Sequence, residues 1–107
     1  MAKFYIIGNY TAQAFKGFIK DPKQDRAAAA NALAKALDAK MESFAITRGS
    51  YDFVGCVSGQ DFESMAAVKL AVEASGAISN FTILEEMDMS KTAEMAAKAM
   101  SLYKPAG

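Results

Sequence analysis

Apolar positions recur along this chain with two periods, and capping or turn residues stand at most of the changeovers. Lys3 to Tyr10 is rich in β-branched and aromatic residues, which predicts a first strand. Thr11 to Lys20 is a mixed connection containing Gly17, with room for a short helical turn. A helix start follows, with Asp21 as the cap, Pro22 in the first helical position and Gln24 as the reciprocal acceptor. The alanine-rich run from Arg26 to Leu37 then carries Ala30, Leu33 and Leu37 on one stripe. Lys40 to Arg48 and Tyr51 to Ser58 read as two strands joined by Gly49-Ser50, glycine supplying the positive φ of a type II′ turn. That register sets Arg48 opposite Tyr51, Thr47 opposite Asp52, Ile46 opposite Phe53 and Phe44 opposite Gly55. Asp61 caps a helix over Phe62 to Ser75, whose stripe is Met65, Val68 and Val72, and Gly76 closes it. Ala77 to Leu84 is a fourth strand. Ser90 caps a last helix running to about Tyr103.

The order strand, helix, strand, strand, helix, strand, extra helix is the split β-α-β, or ferredoxin-like, arrangement. The expected fold is α+β with a four-stranded antiparallel sheet, one domain filling residues 1–107. Both main helices then cover one face of the sheet, so a monomer would alternate apolar and polar residues along each strand. The strands do not alternate in this way. Phe4 and Ile6 oppose Tyr5 and Ile7; Tyr51, Phe53 and Val57 oppose Val54 and Cys56; Ile78 and Leu84 oppose Phe81 and Ile83. An apolar second face needs a cover. The terminal helix could supply part of it, but a second subunit's sheet, stacked into a dimeric α+β barrel, explains it better. The methionines Met87, Met89, Met95 and Met100 read first as core contacts of the last helix, and otherwise as an adaptable partner surface.

Composition narrows the chemistry. Twelve basic side chains balance twelve acidic ones, so there is no basic face for nucleic acid. Histidine is absent, which removes histidine-activated nucleophiles and histidine-ligated metals. The single cysteine, Cys56, allows no internal disulfide, and it reads as a small buried hydrophobe. No cofactor is called for. The apolar run at the start is too short for a secretory signal and no stretch is long enough to span a membrane, so the expected location is cytoplasmic.

The run Arg48-Gly49-Ser50-Tyr51-Asp52-Phe53-Val54 carries Gly-x-Tyr-Asp at a strand–hairpin–strand junction. Lys40-Met41-Glu42-Ser43-Phe44 precedes it and an acid-capped, alanine-rich helix follows. Upstream stand Tyr10-Thr11, Gly17 and Asp25-Arg26. In this order and spacing the chain resembles the GYD domain family over about residues 3 to 97. The resemblance implies kinship with dimeric α+β barrels, a group of small monooxygenases, muconolactone isomerases and ligand-sensing modules, but carries no established reaction with it. Asp38, Ser58-Gly59-Gln60 and Ser79-Asn80 depart from the usual pattern. The last pair replaces a frequent arginine, so any anion contact made by that arginine in relatives is lost.

Four residues are candidates for a ligand site. Asp52, inside a strand, either braces backbone amides, with Thr47 across the hairpin as one partner, or acts as a pocket base. Tyr51 is a nearby phenol, but adjacent strand residues point to opposite faces, which weakens a Tyr–Asp dyad. Arg26 is oddly placed for the helix dipole and suggests an ion pair with Asp52 or another acid, ahead of anion binding. Asn9, beside Tyr10 at the end of the first strand, either holds a carbonyl or enolate oxygen or satisfies the turning chain. Plentiful aromatic and methionine side chains favour a small-molecule-binding dimeric barrel module, its partners a second copy and a small apolar or aromatic ligand. The alternatives are a cofactor-independent monooxygenase or isomerase on an enolisable substrate, using Asp52 or Tyr51 with Asn9, and a structural oligomer subunit.

Overall fold

The structure, a computed structural model, describes residues 2–59 and 61–107. Gln60, part of the departure noted before the second main helix, lies outside them. The strands are β1 (Ala2–Tyr10), β2 (Lys40–Ile46), β3 (Phe53–Gly59) and β4 (Ile78–Glu85). The helices are α1 (Ala12–Lys20), α2 (Arg26–Ala36), α3 (Phe62–Ala74) and α4 (Met89–Leu102). The strands form one antiparallel sheet in the order β2-β3-β1-β4, which is the ferredoxin-like α+β arrangement.

Every helix starts on a side-chain cap that accepts a backbone N–H two or three residues into the first turn. Thr11 accepts from Ala14, Asp25 from Ala28, Asp61 from Ser64 and Asp88 from Lys91. Asp61 is the expected cap. For α2 the cap is Asp25 rather than Asp21, because Ala12–Lys20 forms a full helix and Asp21 closes it, its amide donating to Gly17 O at 2.9 Å. Gln24 serves that same end, its Nε2 donating to Gly17 O at 3.1 Å. For α4 the cap is Asp88 rather than Ser90.

The hairpin keeps the expected register, with Ile46 opposite Phe53 and Phe44 opposite Gly55. Its strands stop earlier than expected, so residues 47–52 make the connection, tied by Thr47 N–H to Asp52 O at 2.8 Å. Gly49 sits there at φ +143°, a backbone region that side chains disfavour.

One face of the sheet builds the core. Phe4, Ile6, Tyr10, Phe53, Val57 and Phe81 are buried beneath α2 and α3, joined by Met65 and Val68 of α3. Phe53 is its centre, with ring centroids 5.4 Å from Tyr10, 5.8 Å from Phe44 and 6.1 Å from Phe81. A register shift between Ile7 and Asn9, with Asn80 at φ +54°, turns Ile78 onto this face beside Tyr10. The strict alternation that set Ile78 with Leu84 is therefore broken by a bulge.

The opposite face carries Tyr5, Ile7, Val54, Cys56 and Leu84 and is covered by no helix among the described residues; Tyr5, Val54 and Leu84 are exposed. Cys56, expected to be buried, is half-covered there. Nor does α4 return to this face. Every residue from Leu84 to Gly107 is exposed, so the terminal methionines are not core contacts of their own domain. The radius of gyration is 17.8 Å, against roughly 13 Å for a compact chain of this length.

Candidate functional site

The stripes that seal the core do not fill it. Between α2, α3 and the sheet lies a cavity of about 90 Å³, lined by Leu33, Met41, Phe44, Phe53, Met65 and Val68 among others. On the α2 side its wall includes Ala30 and Ala34, whose short side chains leave space that larger ones would fill. The wall is apolar except for three side chains, Tyr10, Arg26 and Ser64.

Tyr10 and Arg26 share one end of this cavity, where β1 finishes and α2 begins. Burial pushes the Tyr10 phenol above its ordinary pKa, the neighbouring Arg26 guanidinium draws it down, and the Asp52 carboxylate adds to the rise. The guanidinium carbon lies 6.0 Å from the Phe18 ring centroid, and Phe18 in turn meets the Tyr10 ring edge-on at 4.8 Å. Arg26 Nη1 donates to Gln24 Oε1 at 3.1 Å, while Nε is shut off from solvent with no acceptor. The ion pairs among the described residues are Lys40–Glu42 and Lys69–Glu73, so the expected Arg26–Asp52 pair does not form.

Asp52 is occupied elsewhere. Its Oδ2 accepts from the Tyr10 amide at 2.9 Å and from Asn9 Nδ2 at 3.3 Å. Asn9 Nδ2 also donates to Ser50 O at 3.0 Å, and Asn9 Oδ1 accepts from Asn80 at 3.3 Å. Thr47 Oγ1 donates to Tyr51 O at 2.7 Å. These bonds tie the hairpin to the end of β1. Tyr51 is exposed, and none of Asn9, Tyr51 or Asp52 lines the cavity. Of the four candidate residues only Arg26 does, and Tyr10 joins it. The signal for Tyr10 was its even parity with Phe4 and Ile6, which sets its side chain on the helix-covered face.

The family model for the GYD domain matches residues 4–96. The chain belongs to the GYD domain family. The matched span of this GYD domain runs from β1 into α4 and so takes in the whole cavity and the hairpin. No curated protein and no solved structure matches the chain. Among the described residues no group of three or more His, Cys, Asp or Glu side chains is arranged to hold a metal ion. No described helix is long and apolar enough to cross a membrane.

Proposed function

We propose that this GYD-domain protein is a small-molecule-binding module that works as a homo-oligomer and takes a compact ligand with an apolar body between α2, α3 and the sheet. The cavity carries this reading. A cavity of about 150 Å³ lined by apolar side chains holds benzene. One of about 90 Å³ therefore suits a tail of roughly three or four carbons, or a ring once the flexible Met41 and Met65 shift rotamer.

Two unpartnered apolar surfaces support self-association. One is the open sheet face around Tyr5, Val54 and Leu84. The other is α4, where Met89, Ala93, Ala96 and Met100 share a stripe opposite Lys91, Glu94 and Lys98. An isolated helix of 14 residues is marginal in water, so α4 needs a surface to pack on. Its length of about 21 Å is enough to cross a four-stranded sheet. The monooxygenase or isomerase alternative gains no support from the geometry, since its proton-transfer residues stand outside the cavity wall.

Native mass spectrometry tests both parts. A dimer or larger ring carrying a discrete added mass is expected. A bare oligomer would favour the structural-subunit reading, and a monomer would overturn the self-association.

A further inference from the structure

We infer that the cavity's ligand is a small organic acid, its aliphatic tail among Leu33, Phe53 and Met65 and its carboxylate against the Arg26 guanidinium at the Tyr10 end. This rests on the cavity being the binding site and adds the chemical class of what it holds.

The arginine is the reason. Buried N–H groups are nearly always bonded, yet Arg26 Nε is solvent-inaccessible and has no acceptor. Its Nη1 donates to an uncharged group, the Gln24 amide oxygen. The Phe18 face accommodates the cation without neutralising it. Two acids that the chain brings to this end are committed to backbone amides: Asp25 to Ala28 at 3.0 Å and Asp52 to Tyr10 at 2.9 Å. A half-buried cation without a counterion is costly, and a planar carboxylate matches the guanidinium fork. Arg26 also opens α2, whose N-terminal dipole favours an anion. The Tyr10 phenol beside it can donate a further hydrogen bond. The rest of the wall adds only the Ser64 hydroxyl to these two polar side chains, so the remainder of the ligand must be apolar.

The probes are 3-methylbutanoate and 3-methylbutanamide, which have the same shape and differ in charge. Binding is followed on the whole 107-residue chain by NMR of methionine methyl groups, since Met41 and Met65 line the cavity while Met95 and Met100 lie outside it on α4. The acid is expected to shift Met41 and Met65 and to bind about tenfold or more tighter than the amide. Arg26→Gln should bring the acid down to the amide's affinity and leave the amide unchanged. Arg26→Lys, which keeps the charge and loses the fork, should fall between, and it carries the comparison if Arg26→Gln does not fold. Equal affinity of acid and amide in the unmodified protein would overturn the acid assignment while leaving the cavity as a binding site. Failure of both compounds to move Met41 and Met65 would overturn the cavity as a binding site and the acid assignment with it.

Discussion

A carboxylate inside a strand needs donors, and Asp52 finds them on the neighbouring strand, in the Tyr10 amide and the Asn9 side chain. Removing it leaves that amide unpaired at the point where β1 turns into α1. Asp52→Ala should therefore lower stability by about 1–3 kcal/mol in denaturant titrations. Cavity binding by the refolded variant should persist, whereas lost binding at undiminished stability would mark Asp52 as a ligand contact. A second residue-scale bond has a pH signature. Ser58 Oγ donates to Glu42 Oε2 at 2.8 Å, and this is the main cause holding the Glu42 pKa below its ordinary value, with Lys40 adding to it. A lowered carboxylate pKa contributes stability above the ordinary carboxylate range that is lost as pH falls through it. Ser58→Ala should flatten part of that acid-side loss in thermal unfolding curves recorded as a function of pH. Asp61, held low by the Ser64 amide, keeps the remainder.

At the scale of elements, local signals placed what local chemistry controls. Asp61 and the Met65, Val68 and Val72 stripe of α3 were readable because cap and apolar face lie within one segment. The cap of α2 was not. Asp21-Pro22 and Asp25 are comparable starts in isolation, and the choice falls to Asp25 once α1 draws Asp21 and Gln24 to its own last turn. The bulge at Asn80 was equally unreadable, since it follows from pairing β4 with β1 rather than from the β4 sequence. The pattern did show that α4 is a helix, but not that it stands away from its own domain. Removing residues 88–107 should leave the cooperative unfolding of the remaining domain intact, because that segment adds nothing to the described core. The same truncation should shift the protein toward monomer in sedimentation velocity. An unchanged oligomer would confine self-association to the open sheet face.

For the molecule as a whole, the alanine-rich α2 leaves space where larger side chains would close the core. Ala30→Leu adds three carbons into about 90 Å³ and should abolish binding of small acids while keeping the melting temperature level or raising it. A large fall in melting temperature would mean that the wall cannot take the added volume. The order of the four strands and of α2, α3 and α4, the sheet with two apolar faces, the hairpin register and the membership of the GYD family were determined by the sequence itself, while α1 was legible only as a mixed connection with room for a helical turn. These depend on periodicity, caps and turn residues, whose effects act within a few residues or across one hairpin. Which of the four candidate residues meet was decided only by the tertiary structure. It sent Asp52 and Asn9 to hold the hairpin and Arg26 with Tyr10 to the cavity, because charge pairing and empty volume depend on distances between segments remote along the chain.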